Sequence, residues 1–264
     1  MKKTEINFTV AGFRFKIIFE KTELQYIKKK LMKDIKAILT GFIYPNSNIS
    51  VDFCIRLVEN KRFKTCCIKK TNYIEFFTLE NSKTARCSYQ ISVFQLEMII
   101  RNFLLKALKD KGFILHSSAN KKGNKSILFL GDSGAGKSTI MRLLDKKYPA
   151  LADDSVIIKK EHKRFFLYQT PFIEKESWVK KNSNKYIIDK IFILKKASFF
   201  KIEKILDKKF IFQNLMKQLF TEKPYYKKQI YSIASFVKQI DEFYYLFFTK
   251  DQNKLFKFIN KYGL

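Results

Sequence analysis

The stretch Gly131-Asp132-Ser133-Gly134-Ala135-Gly136-Lys137-Ser138 matches the pattern GxxxxGK[ST] at every fixed position, and two adjacent aspartates, Asp153 and Asp154, begin sixteen residues after the lysine. Each residue type in the turn has a physical task. Glycines let successive backbone N–H groups turn toward one anion, Lys137 is long enough to reach the β and γ phosphates of a nucleotide, and the Ser138 hydroxyl can ligate Mg²⁺. The apolar run SILFL leads in and KSTIMRLLDKK leads out, so the turn is expected at a helix N-terminus, whose dipole favours an anion. ATP and Mg²⁺ are the expected ligands, with Gly131, Asp132, Ser133, Gly134, Ala135, Gly136, Lys137, Ser138 and Thr139 around the nucleotide.

The aspartates decide what such a site could do. In an ordinary nucleotide-hydrolysing protein with this turn the magnesium aspartate lies on a strand further along, whereas here a single helix returns straight to the doublet. In LADDSVII apolar residues flank both carboxylates, and strand alternation would send the two side chains to opposite faces. Both serve one site only if the backbone bends there. One carboxylate can then hold the metal while the other accepts a proton from an attacking hydroxyl, the division of labour that phosphoryl transfer needs. The alternative is that one aspartate only caps the turn before Val156. His116, ending the strand-like part of FILHSS, is a further candidate, because its strand can lie beside the one that feeds the turn; on position alone a structural histidine is equally compatible. Ser117 and Ser118 read as a polar turn.

These residues need strands and helices to hold them. Residues 5–19 alternate around Gly12 as a hairpin, and ELQYIKKKLMKDIKAIL follows as a lysine-rich amphipathic helix. Strand-like runs at 49–59, 62–70, 73–80 and 84–93 complete what reads as a small antiparallel α+β unit. VFQLEMIIRNFLLKALKDKG sets Phe94, Leu96, Ile99, Phe103, Leu104 and Leu108 at helical spacing, with Gly112 as its stop. From there the character changes to short apolar strands, FILHSS and SILFLG. The expected division is therefore an accessory domain over 1–111 and a catalytic domain over 112–264. In the second, residues 156–169 read as two strands, 189–197 as a buried strand, 208–220 as a helix, 242–250 as a strand, and 251–263 as a closing helix with Asp251 near its N-cap. The polar segment 176–185 is expected to be a mobile loop beside the site.

Bulk properties narrow the class. The 264 residues can bury a real core. The four cysteines show no CxxC spacing, and with only His116 and His162 available no zinc set assembles, so a reduced, cytoplasmic protein is the simplest reading. No run approaches the about eighteen apolar residues of a membrane span. The net charge of +29 invites nucleic acid, but of 53 basic residues only seven are arginine, the preferred reader of phosphates. The profile, rich in Lys, Phe, Tyr, Ile and Asn, is that of AT-rich codons, so solvated lysine faces are favoured over a nucleic-acid surface. An acidic peptide or protein remains compatible with the charge.

Taken as a set, LHSSA, GDSGAGKST and LADDSV resemble the C-terminal catalytic domain of the HPr kinase/phosphorylase family. They are still more similar to its compact relatives, the HPr-kinase-like proteins found beside peptide-maturation genes. A softer likeness extends over Pro171-Phe172, KIFILKKA and YYLFFTK with the last helix. The resemblance implies a phosphoenolpyruvate-carboxykinase-like P-loop fold, α/β in a chain that is α+β overall, transferring the γ phosphate of ATP to a serine or threonine hydroxyl of a peptide or protein. It implies Lys137 on the β and γ phosphates, Ser138 and Asp154 on Mg²⁺, Asp153 as the base, and His116 orienting or stabilising the transferring group. It also implies a homo-oligomer, since members of the family form rings. One signature is missing: KKNSNKYIIDK has neither the arginine nor the glycines of the family's Glu-x-Arg-Gly-x-Gly loop, which argues against HPr as acceptor and against the reverse reaction. Three other readings use the same residues: a small-molecule hydroxyl kinase, a nucleotide-gated binding module without phosphotransfer, and a nucleic-acid-dependent NTPase.

Overall fold

The structure is a computed structural model that describes residues 4–45, 50–59, 65–68, 71–74 and 76–262. Of the runs read as strands, residues 49, 62–64, 69, 70 and 75 lie outside the described residues, as do the side chains of Cys66 and Cys67. The chain forms two compact units, Met1–Leu104 with Pro171–Ile173, and Leu105–Thr170 with Glu174–Leu264. The division falls inside a helix, a little before the 111/112 boundary expected from sequence.

In the first unit β1 (Thr4–Val10) and β2 (Phe13–Phe19) pair as the expected hairpin through Ala11-Gly12. Helix α1 (Gln25–Ile38) then carries the chain to β3 (Phe53–Val58), which lies parallel to β2. A short antiparallel ribbon of β4 (Thr65–Ile68) and β5 (Thr71–Ile74) follows. Next come β6 (Phe77–Asn81) and β7 (Thr84–Ser88), and the sheet order is β1-β2-β3-β7-β6. Because β7 also runs parallel to β3, the sheet is mixed, which corrects the antiparallel unit expected from sequence. The reason is connectivity: antiparallel neighbours need only a tight turn, while the α1 crossover brings the chain back in the same direction. A row of rings forms the core, with Phe8 stacked on Phe15 at 4.9 Å, Phe15 tilted against Phe53 at 5.2 Å and Phe53 stacked on Phe103 at 4.8 Å. Phe103 comes from α2 (Val93–Leu108), which starts from a reciprocal pair of bonds: Gln95 N–H donates to Ser92 Oγ at 3.2 Å, and Ser92 N–H to Gln95 Oε1 at 2.8 Å. Phe94, read as part of the apolar stripe, is instead 63% exposed, and Ile100 and Leu105 are buried.

The second unit begins with β8 (Gly112–His116), β9 (Ser118–Lys122) and β10 (Lys125–Leu130). The run FILHSS is thus broken at Ser117, because β8 and β9 pair with different neighbours. Helix α3 (Lys137–Leu144) leads to β11 (Ala150–Ala152), β12 (Ser155–Glu161) and β13 (Arg164–Gln169). The long β14 (Lys185–Lys196) and β15 (Lys201–Lys204) follow, then α4 (Lys208–Lys217) and β16 (Leu219–Phe220). The chain closes with α5 (Tyr226–Gln239), β17 (Phe243–Phe248) and α6 (Gln252–Tyr262). Among the described residues the chain has six helices. α6 starts as expected, with Lys254 N–H donating to Asp251 Oδ1 at 3.0 Å.

The main sheet runs β11-β9-β10-β14-β13-β12-β8-β16, with β17 and β15 branching from β14. β14 runs parallel to both β10 and β17, and its first residues pair antiparallel with β13. The runs ILFL (127–130) and IFIL (191–194) are apolar throughout because both faces of the sheet are covered. Leu128, Leu130, Ile191 and Ile193 pack on one side with Ile211 and Leu215 of α4 and Ile233, Phe236 and Val237 of α5. Ile127, Phe129, Phe192 and Leu194 pack on the other with Ile140 and Leu144 of α3 and Leu255 of α6. α5 has no counterpart in the sequence reading, yet it supplies Phe236, whose ring meets Phe165 at 5.0 Å, Phe113 at 5.4 Å and Phe243 at 6.0 Å, all edge-on.

Two outcomes follow from this packing. Phe236→Ala removes a fully buried ring with three aromatic partners, so urea denaturation is expected to show a loss of about 3–5 kcal/mol. Glu161, at the end of β12, is opposed by burial but held down to about 2 by Lys185, Tyr168 and Lys159. Its folded value is depressed below the ordinary 4.5, so the stability it lends is complete above that pH and disappears as pH falls toward about 2. Thermal melts of Glu161→Gln across this window are expected to lack that part of the acid limb.

Candidate functional site

The glycine-rich turn joins β10 to α3, as its flanks require. Gly136 has φ of 101°, a left-handed angle, and a Cβ there would lie 2.6 Å from the ring of Phe248 on β17. Asp132, Ser133 and Gly134 are exposed, Ser138 and Thr139 are partly exposed, and Lys137 is buried. The Lys137 ammonium folds back on the turn, donating to the carbonyl of Gly131 at 2.8 Å and to that of Asp132 at 3.4 Å. Burial lowers its pKa, and the nearby charges of Asp154, Asp132 and Asp153 pull it back up. The lysine and both members of the doublet therefore lie within electrostatic reach of one another.

Strand β9 fixes the helix that starts with this lysine. Ser118 Oγ donates to the Lys137 carbonyl at 3.0 Å, and Asn120 Nδ2 donates to the carbonyls of Met141 at 3.0 Å and Tyr148 at 2.6 Å. All this is buried, where unpaired carbonyls are costly. Ser118 is thus a strut for α3 and not part of a polar turn.

The doublet sits at the bend between β11 and β12, where its alternation is broken as the sequence argument demands. Asp154 is the open member, with 44% of its side chain exposed, and its Oδ1 lies 3.2 Å from His116 Nδ1. The hydrogen bond with His116 holds the Asp154 carboxyl below the usual range, against burial, with Lys137 and Lys175 adding to the pull. His116 is itself fixed: it pairs with Ser155 across β8 and β12, its N–H donates to Gln218 O at 2.7 Å, and its ring meets Phe220 edge-on at 5.9 Å. Asp153 is the closed member, 3% exposed, and neither of its carboxylate oxygens receives a hydrogen bond. A buried carboxylate without donors is expensive unless a cation is close.

Sequence reasoning missed Glu174. Its Oε2 accepts from the backbone N–H groups of both Asp153, at 2.8 Å, and Asp154, at 2.7 Å, while Oε1 lies 3.1 Å from Lys181 Nζ. One carboxylate clamps the bend that brings the doublet together. Burial nonetheless pushes the Glu174 carboxyl up, with Lys181 and the two N–H groups opposing the rise. No local pattern marks it, because the two N–H groups it accepts from are 21 and 20 residues away in the chain. The segment expected to be a mobile loop is irregular but anchored: Gln169 Nε2 donates to Lys180 O at 3.0 Å, Asn182 N–H donates to Gln169 Oε1 at 2.9 Å, and Val179 is buried.

Among the described residues no three His, Cys, Asp or Glu side chains converge as a metal cage. Ser138 and one aspartate are a ligand set of the size Mg²⁺ uses when phosphate oxygens and waters complete its shell, and the donor-free oxygens of Asp153 fit a cation. The chain matches no protein-family model, and no curated protein matches it.

Glu174→Ala removes the acceptor of one buried and one partly buried N–H group, and the expected cost is about 2–3 kcal/mol. Glu174→Gln, which keeps an acceptor oxygen, is expected to lose less than half of that in the same denaturation experiment.

Proposed function

We propose that this protein is an ATP-dependent kinase that transfers the γ phosphate to a serine or threonine hydroxyl of a peptide or protein. The observation that carries the reading is the 3.2 Å contact between His116 Nδ1 and Asp154 Oδ1 next to the enclosed carboxylate of Asp153, with Lys137 within electrostatic reach of both aspartates. A turn that only held nucleotide would need the lysine and one metal carboxylate; a second carboxylate with a histidine partner supports proton removal from an acceptor. The resemblance of LHSSA, GDSGAGKST and LADDSV to HPr-kinase-like catalytic domains supports a P-loop kinase fold for residues 112–264 and adds the acceptor class. The first unit then serves as an accessory, substrate-recognising domain, in a protein of the cytoplasm. No helix among the described residues is long and apolar enough to cross a membrane.

In this reading the turn from Gly131 to Thr139 would cradle the phosphates of ATP, Lys137 would exchange the Gly131 carbonyl for the β and γ phosphates, and Ser138 would help hold Mg²⁺, whose charge would offset that of the phosphates. Exposure favours exchanging the two roles expected for the aspartates. A base must be reached by an acceptor, and Asp154 is reached from solvent while Asp153 is enclosed. We therefore take Asp154 as the base, oriented by His116, and Asp153 as the carboxylate facing the metal.

Incubation with Mg·ATP and Ser- or Thr-containing peptides, read by intact mass, is expected to add the mass of one phosphate. Lys137→Ala and Asp154→Asn are each expected to lower the rate at least about a hundredfold. Asp153→Asn is expected to raise the Mg²⁺ concentration needed for half-maximal rate, which Asp154→Asn leaves near its original value. Phosphorylation of small alcohols without any peptide would replace the acceptor class, and wild-type rates from both aspartate variants would overturn the site.

A further inference from the structure

The second unit carries a cleft of about 160 Å³ at the opposite end of β8 and β12 from His116 and Asp154. From Ser155 to Lys159 along β12 the separation is roughly 14 Å, so the cleft is distinct from the candidate site. Three elements deliver its cations: Lys111 precedes β8, Lys160 lies near the end of β12, and Lys228 comes from α5. Two of them are forced together by the backbone. Lys160 N–H donates to the Lys111 carbonyl at 2.6 Å, and the strands approach so closely at Gly112 that a Cβ would lie 2.2 Å from the Ile158 carbonyl.

Like charges held side by side are unfavourable unless something negative answers them. Asp110 is the one carboxylate in the lining, and it already faces Lys228 at 3.5 Å. Lys160 has a hydroxyl as neighbour, Ser235 Oγ at 3.3 Å, and lies over the ring of Phe165 at 5.4 Å. Hydroxyls of Ser232, Ser235 and Tyr231 add hydrogen-bonding groups from α5. Compact ammonium groups and rotatable hydroxyls arriving from several sides suit a tetrahedral oxyanion, whereas planar carboxylates are better met by the guanidinium fork that is missing here. The volume equals about five waters, more than one oxyanion needs, and the half-open wall formed by Tyr231, 64% exposed, offers an apolar surface beside the charge. We propose that this cleft binds a small organic phosphate monoester, its phosphate between Lys111 and Lys160 and its carbon part against Tyr231.

The test is lysine acetylation read by peptide mass spectrometry, on the full chain carrying Lys137→Ala so that the glycine turn does not contribute phosphate affinity. Phenyl phosphate is expected to slow acetylation of Lys111 and Lys160 at least fivefold and to leave Lys29, exposed on α1, unchanged. Inorganic phosphate should need a higher concentration for the same protection, and citrate should give none. Tyr231→Ala is expected to bring the ester's protective concentration up to that of inorganic phosphate. Equal acetylation rates with and without phenyl phosphate would overturn the site. Protection by citrate, or by inorganic phosphate as effectively as by the ester, would overturn the assigned ligand class. Neither result depends on whether the protein transfers phosphate.

Discussion

A bend in the backbone that exposes two successive N–H groups has to be held by something, and in this chain a single carboxylate does it. Glu174 accepts from both members of the Asp153-Asp154 doublet. Without it, strand geometry would point one aspartate away from the other and the two could not serve the same space. The clamp reaches back through Lys181 and the anchored segment that follows β13, so the loop fixes the doublet instead of covering it. The other constraint is on α3, whose first carbonyl is tied to Ser118 and whose later turns are tied to Asn120. Strand β9 thus sets where Lys137 starts, and Glu174 sets where the aspartates finish.

β14 makes these two anchorages part of one body. It pairs with β10, which feeds the glycine turn, and with β13, which leads through β12 back to the doublet. Its alternate side chains go to two cores, one under α4 and α5 and one under α3 and α6. A strand buried on both faces tolerates little displacement, since packing at native density transmits a shift to its neighbours. The site is therefore as rigid as the sheet, and its adjustable parts are side chains: the Lys137 ammonium, now parked on the Gly131 carbonyl, and the exposed Asp154.

What the sequence made legible was the local chemistry. GxxxxGKS is a continuous pattern whose spacing is enforced by one turn and one helix, and Lys137, Ser138 and the doublet could be named from it. The hairpin around Gly12, the closing helix after Asp251 and the two buried strands at Leu128 and Ile191 were legible for the same reason. Contacts made by distant segments were not. Glu174 looks like any acidic loop residue until β13 brings it to the bend. α5 is not legible because its start, Tyr226-Lys227-Lys228, carries no capping residue and its buried face mixes Ile233, Phe236 and Val237 with the polar Gln229 and Ser232. Phe94 was counted into a core face because periodicity gives an angle around a helix and not what lies opposite. The parallel pairing of β2 with β3 depends on a crossover, which strand-like runs alone do not disclose.

The ring of Phe248 fills the space where Gly136 would carry a side chain. That contact makes positions 136 and 248 a linked pair, although more than a hundred residues separate them in the sequence. Enlarging one demands shrinking the other, and the left-handed angle at Gly136 narrows the choice further. Drift in β17 is thereby limited by the turn that precedes α3, so position 248 should vary less freely than strand positions without such a contact.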